Sequence, residues 1–477
     1  METATIPQGS APLPAQRQLR FNWPVLLLGV IACLAALAVH ARALLHPCLY
    51  WDDFEILLQS YTWSDAYARL WVPINEHCWP LTRIGTWLVV SAARHPSAIP
   101  LATAVQSRLM LILGLTLLYL FVRRELADPF CGLVAMCIFG ISASYQEAVN
   151  WFAASPALPT VCMALLALLA GQRGRQTGAG LSLAPCAFWS GLAPGWYAGG
   201  VLVGPLCCLY LLYPRPAGRI WHALAPLAGT AAFLAVSLPF SGKQIWHSDH
   251  YGSQNAWQAF QLTTGLINTG RSLVDNVLLG SFGIAGFTCP PAAVAAGLVV
   301  LAAAGVWWWR RTVDHRLFVL GLGFILTSYL LIYSARAGWE YSQIRHWSRY
   351  NIFAQLGLAL IVCNGSKRFP ALDRTGRLSR REMAIIAWLA AILFAINLPR
   401  GYIGTPAADL EQAKVFQRLD EIEARCRAHH ISAADARKVL DQMEMPGGGC
   451  DNPWRFLRGS DDPVPHTEAE TRRLLQP

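Results

Sequence analysis

The chain has 477 residues, of which 54% are apolar and only 14% are charged, against about 25% charged in an average soluble domain. So few charges cannot coat a water-soluble protein of this size, and lipid is the solvent that fits most of its surface. The formal net charge of +10 does not point to nucleic acid, because most of the arginine falls in short segments between apolar runs, where it reads as a topology signal.

Residues 1–20 are polar and proline-rich and read as a cytoplasmic N-terminal tail. The apolar run that follows is long enough to span, which argues against a cleaved signal peptide. Apolar runs occupy 23–45, 99–122, 129–149, 152–170, 181–192, 196–213, 220–240, 292–309, 317–333, 350–363 and 384–398. Together they predict an all-α polytopic membrane protein with about eleven transmembrane helices. The weakest run is 181–192, which contains Pro185.

Basic residues support the count. Arg17 and Arg20 precede the first run. Arg123 and Arg124 follow the second, Arg173 and Arg175 the fourth, and Arg215 and Arg219 the sixth. Arg310, Arg311 and Arg316 follow the eighth, and Lys367, Arg368, Arg374 and Arg377 are among those after the tenth. Every even-numbered connection is therefore basic and belongs on the cytoplasmic side. A run at 181–192 that failed to cross would put Arg173 and Arg215 on opposite faces. The expected layout is a membrane domain over 21–398 and an extracytoplasmic helical tail over 399–477. In the tail, Leu410, Phe416, Leu419 and Ile422 recur at helical spacing. Two long outer connections, 45–100 and 241–291, are dense in Trp and Tyr, as interfacial segments are.

Four constellations carry chemistry. The first outer connection opens with Tyr50-Trp51-Asp52-Asp53-Phe54, two adjacent carboxylates among aromatics. Such a pair at a membrane surface is a solvated helix cap or a functional site. Further on, Pro73 and Pro80 bracket a stiff stretch with Asn75, Glu76 and His77 in a row, followed by Arg83. It either lines a cavity or is a surface loop packed by Trp71 and Trp79. Glu147, beyond the third run, is a second outer carboxylate. After the ninth run come Arg336, Arg345, His346 and Arg349. Positive charge there runs against the topology bias and asks for an anionic partner, a lipid headgroup or a bound phosphate. Arg108, near the outer end of the second run, is placed to face the same cavity.

Other signals are weaker. His247, Asp249 and His250 are close in sequence, but no metal geometry follows from that. The 13 cysteines show no CxxC spacing, which argues against a zinc site. Cys48 with Cys78, and Cys426 with Cys450, are candidate disulfides on an oxidising outer side. GxxxxGK[ST], GxGxxG and HExxH motifs are absent from the sequence, so it does not read as an ATP-driven pump or a zinc protease.

The stretches YWDDF at 50–54 and NEHCWPLTR at 75–83, following a first apolar run, resemble the C-type (GT-C) polytopic membrane glycosyltransferases. That superfamily includes the protein O-mannosyltransferases, the lipid A aminoarabinose transferases and bacterial membrane glycosyltransferases. The resemblance implies a GT-C-like fold in a bacterial inner membrane, and the arginine pattern then sets the N-terminus cytoplasmic and the C-terminus periplasmic. It implies transfer of a sugar from a polyprenyl-phosphate-linked donor to a lipid, glycan or protein acceptor entering from the outer face. Asp52 or Asp53 would be the general base, and Glu147 would orient the acceptor or bind a divalent metal; no cofactor is otherwise implied. Arg345, His346 and Arg349 would hold the donor phosphate, and Asn75, Glu76, His77, Arg83 and Arg108 would line the same substrate cavity. Two rivals remain: a transporter or flippase of lipid-linked sugars, which would not need Asp52 as a base, and a non-enzymatic membrane subunit whose tail binds a partner. Transporters often carry internal duplication, and none is evident here.

Overall fold

The computed structural model describes residues 23–49, 52–73, 78–93, 95–177, 183–213, 220–247, 261–280, 289–312, 314–366, 378–401 and 407–427. Among them the regular structure is helical, with no strand. The chain runs through α1 (Trp23–Val39), then α2 (Asp52–Leu58), α3 (Trp63–Ala68) and α4 (Pro80–Ala93) of the first long connection. It continues through α5 (Ile99–Leu126), α6 (Pro129–Gly140), α7 (Gln146–Asn150), α8 (Ala157–Thr177), α9 (Ala184–Trp196), α10 (Val203–Leu212) and α11 (Ala225–His247). The second half comprises α12 (Leu262–Ser272), α13 (Pro291–Arg311), α14 (His315–Ala335), α15 (Tyr341–His346), α16 (Ile352–Ser366), α17 (Arg380–Gly401) and α18 (Ala407–Arg427). Local sequence sets many of these boundaries. Pro129 starts α6 behind Asp128, whose carboxylate accepts from Phe130 N (2.8 Å), and Thr62 with Asp65 forms a capping box on α3.

Length and composition alone carry fewer crossings than eleven. Five helices are long and apolar enough: Pro96–Leu126, Phe152–Thr177, Pro291–Arg311, His315–Ala335 and Arg380–Pro399. A sixth is formed if Pro129–Gly140 and Ala143–Asn150, bent by 47°, count as one span. Most of the other runs fold as shorter helices, including α1 (17 residues), α9 (13) and α16 (15), and α11, though 23 residues long, is apolar only over Ala225–Phe240.

The bend between α6 and α7 is held by side chains, because broken backbone inside a bundle must find partners there. Gln355 Nε2 donates to Ile138 O (3.0 Å) and Asn351 Nδ2 to Ser144 O (2.9 Å). Asn397 Oδ1 accepts from Ala143 N (3.0 Å), and the Tyr329 hydroxyl donates to Asn351 Oδ1 (2.8 Å). Replacing Asn351 with Ala is expected to leave Ser144 O unpaired and to take from the Tyr329 hydroxyl its Asn351 acceptor. The predicted loss is about 1–3 kcal/mol, read as a lowered unfolding midpoint in detergent; an unchanged midpoint would mean the bend is held by packing alone.

The connections sort to two ends of the bundle. At one end Glu125 accepts from Gln172 (2.6 Å), Arg175 (2.5 Å) and the Tyr210 hydroxyl (2.7 Å). Beside them Arg316 Nε donates to Tyr213 O (2.9 Å), and Asn364 Oδ1 accepts from Asp314 N (3.0 Å). These residues flank the second, fourth, sixth, eighth and tenth connections. Helix α5, of 28 residues, is about 42 Å long. It runs from there to Ile99, which joins an apolar cluster with Leu49, Phe54, Trp79 and Phe152 of the first and third connections. Two close crossings set the packing between: Gly321 of α14 against Gly357 of α16, and Gly191 of α9 against Gly229 of α11. A methyl group on either member of the first pair would collide with the other's carbonyl oxygen.

The tail helix α18 buries the face its spacing predicts: Phe416, Leu419 and Ile422 are 2%, 0% and 5% exposed. They join the same apolar cluster as the first connection. This part of the tail is therefore packed onto the membrane domain rather than standing off it as an appendage.

Candidate functional site

At that end of the bundle lies a cavity of about 340 Å³. Its wall is assembled from distant parts of the chain: Asp52 and Ile56 of α2, Trp79, the turn Trp151–Ala154, Tyr197 and Gly199, Ser328 to Arg336 on α14, and Arg349, Tyr350 and Phe353. Trp79 and Tyr197 lie with ring centroids 6.1 Å apart. The site joins one carboxylate, two guanidinium groups and five aromatic side chains.

The acidic pair is divided by the helix that carries it. Successive residues of an α-helix point about 100° apart, so Asp52 and Asp53 at the start of α2 cannot share a direction. Asp53 is fully buried, and its Oδ1 accepts from Ala153 N (2.6 Å). It pins the turn that forms part of the cavity wall. Asp52 is exposed to the cavity and has no hydrogen bond or ion pair among the described residues. Of the two, Asp52 is the carboxylate a ligand can reach.

The arginines divide in the same way. Arg349 enters the cavity with its guanidinium 4.7 Å from the Trp347 ring centroid, 4.8 Å from Trp151 and 4.9 Å from Tyr350. Glu147 Oε2 accepts from Arg349 Nη1 (3.1 Å) and weakly from its backbone N (3.4 Å), while Ser348 Oγ accepts from Glu147 N (2.9 Å). Glu147 thus orients Arg349 and does not itself line the cavity. Arg336, from the same loop, does line it, 5.6 Å from the Trp339 ring and 5.9 Å from Trp347. Arg345 does not. It is buried against Asp275 (3.6 Å), which also accepts from the Tyr341 hydroxyl (2.9 Å). Asp275 sits on a π-helical turn, Leu273–Leu279.

Two further candidates hold structure together instead of lining the cavity. Arg108 donates to the carbonyl oxygens of Ala104 (3.2 Å), Val149 (2.7 Å) and His40 (2.5 Å) and to the Asn150 amide oxygen. It ties the end of α1 to α5 and α7. Arg83 is 1% exposed and donates to Gln59 Oε1 (2.9 Å) and Val72 O (2.8 Å). Loss of solvation lowers its pKa to about 10, so it stays charged at neutral pH. Asn75, Glu76, His77, Asp249, His250 and Cys450 lie outside the described residues, as do the side chains of His247, His346 and Cys426. Cys48 and Cys78 are both buried and are not joined in a disulfide. Burial pushes Cys78 up to about 11, with Arg83 opposing. Among the described residues no group of three His, Cys, Asp or Glu side chains is placed to hold a metal ion.

Removing Arg108 is expected to cost at least about 3 kcal/mol, since two or more hydrogen bonds from a charged donor are lost at about 1.5–3 kcal/mol each. Lys should not rescue it, because an ammonium lacks the planar fork that reaches several carbonyls at once. The check is a melting curve for Arg108→Ala and Arg108→Lys. Ligand affinity per folded molecule should be unchanged, and a selective loss of affinity would return Arg108 to the binding site.

Sequence reasoning named the loop that supplies Arg336 but not its place in the cavity, and missed the aromatic wall and Asp275. A pair of arginines each flanked by Trp or Tyr within three residues was the available signal. No family model, characterised protein or solved structure matches this chain.

Proposed function

We propose that the protein is a membrane glycosyltransferase that moves a sugar from a polyprenyl-phosphate donor to a hydroxyl acceptor on the outer face. The observation that carries this reading is the composition of the cavity: the Asp52 carboxylate, unpartnered among the described residues, in the same space as Arg336 and Arg349, between aromatic walls. In this reading the guanidinium groups hold the donor phosphate and stabilise it as it leaves. Trp79, Trp151 and Tyr197 offer apolar faces to the sugar ring. Asp52 takes the proton of the acceptor hydroxyl as its oxygen attacks the anomeric carbon, and the C–O bond to the phosphate breaks. The acceptor is a lipid, a glycan or a protein.

The proposal includes eleven crossings of a bacterial inner membrane, with the basic end of the bundle in the cytoplasm. The gathering of even-numbered connections at one end and of the cavity segments at the other is the pattern that this topology gives. A cytoplasm-dependent reporter fused after residue 401 should be silent; an active one would reverse or break the topology.

The test of function is to reconstitute the full-length protein in liposomes with a panel of radiolabelled polyprenyl-phosphate sugars and a membrane extract as acceptor. Transfer of label to a new product, lost in Asp52→Asn, is expected. Movement of intact donor across the bilayer, without bond cleavage and unaffected by Asp52→Asn, would make the protein a transporter of lipid-linked sugars instead.

A further inference from the structure

The back of the cavity wall and the seat of the tail helix are one apolar cluster. Ile56, Trp79 and Ala153 face the cavity and also belong to the cluster that buries Phe416, Leu419 and Ile422 of α18. Phe54 and Leu57, on the helix that presents Asp52, complete it at 0% exposure. Asp420 Oδ1 accepts from Ser97 N (3.2 Å), at the turn that leads into α5, and so fixes the register of α18 along the cluster. The opposite face of α18 carries Lys414, Arg418, Glu421 and Arg425, which are exposed. An amphipathic helix with a charged outer face and a fully buried inner one shields apolar surface from water. What it shields here is the apolar cluster that also takes in Ile56, Phe54, Trp79 and Ala153, which α18 meets chiefly at the Pro96–Ala98 turn.

We propose that α18 is a positioning element of the cavity: Phe416 and Leu419 hold the wall formed by Ile56, Trp79 and Ala153, and Asp420 sets the helix in place. The C-terminal tail is then part of the site, not a partner-binding extension. Removing the two apolar anchors exposes the cluster to water and lets α2 shift, and a displacement on the order of 1 Å at a reacting group can cost about 10²-fold in rate.

Cys48 and Cys78 report on this independently of activity, since they adjoin Leu49 and Trp79 of the cluster and are each 8% exposed. Full-length protein in nanodiscs is treated with a membrane-impermeant maleimide, and labelling of the two cysteines is followed by peptide mass spectrometry. Local opening should raise their labelling rate about tenfold or more in Phe416→Ala/Leu419→Ala, and Leu419→Met should restore the wild-type rate. Asp420→Ala, which leaves the apolar anchors in place, carries the same comparison if the double variant does not assemble. The transfer assay is run beside it: kcat/KM should fall at least about tenfold in the variants that label faster. Unchanged labelling in all variants overturns the inference, and so does faster labelling with wild-type kcat/KM. This inference rests on the proposed reaction only for the second readout. A wild-type protein that transfers no sugar defeats the reaction alone, and the labelling rates then decide the role of α18 by themselves.

Discussion

Asp52→Asn is expected to slow sugar transfer by about 10²–10⁴-fold, the usual cost of losing a general base, with little change in stability. The amide keeps the shape of the side chain and removes only the basic oxygen. Because Asp52 is exposed and unpartnered among the described residues, its charge contributes only through the first turn of α2, and the melting temperature should stay close to wild type. Asp53→Ala should behave in the opposite way. It leaves the buried Ala153 N–H without its acceptor, a loss of about 1–3 kcal/mol, while the folded fraction retains a working base. The pair of measurements is turnover per folded molecule and thermal unfolding in detergent. A fully active Asp52→Asn enzyme beside a folded but inactive Asp53→Ala would reverse the two roles and remove the mechanism proposed here.

Arg349→Ala is expected to weaken donor binding by roughly 10–100-fold, since a hydrogen bond to a charged group contributes about 1.5–3 kcal/mol and 1.4 kcal/mol is tenfold. The same change strips Glu147 of its ion-pair partner at 29% exposure, so some stability should be lost as well. Arg349→Lys should recover little. An ammonium can meet Glu147, but it lacks the delocalised guanidinium that lies within 5 Å of the Trp151, Trp347 and Tyr350 ring centroids. A double-mutant cycle with Glu147→Gln separates orientation from binding: if Glu147 acts through Arg349, its effect on donor affinity should vanish once Arg349 is gone. Arg345→Ala, by contrast, should lower stability and leave donor affinity unchanged, because its buried partner is Asp275. Equal losses of affinity from Arg345 and Arg349 would restore the sequence-based assignment of both to the phosphate. Binding of a radiolabelled polyprenyl phosphate to the purified variants provides the measurement.

Much of the architecture was legible from local pattern. Apolar runs, their flanking arginines and the spacing of Leu410, Phe416, Leu419 and Ile422 are periodicities within one segment, and a helix reads its own segment. The count was less secure. Runs such as 181–192 and 350–363 form helices too short to qualify as spans by themselves, and the third run breaks at residues 141–142, where Asn351, Gln355 and Asn397 supply the missing partners. No property of residues 129–149 announces those three side chains.

By itself, then, the sequence determined the all-helical membrane character, the sorting of connections into two sets, and a short list of carboxylates and arginines for the site. Those are matters of composition and of spacing along one chain segment. Which member of each list reaches the cavity was decided only by tertiary structure. Asp52 and Asp53 are neighbours with the same chemistry, and they part because Ala153, 100 residues away, takes one of them. Arg345 and Arg349 lie four residues apart, on either side of the break at Trp347, and they part because Asp275 claims the first while Glu147, 202 residues distant, orients the second. A charged side chain in a bundle goes to whichever partner satisfies it, and those partners are set by packing across the fold, which spacing along the chain does not encode.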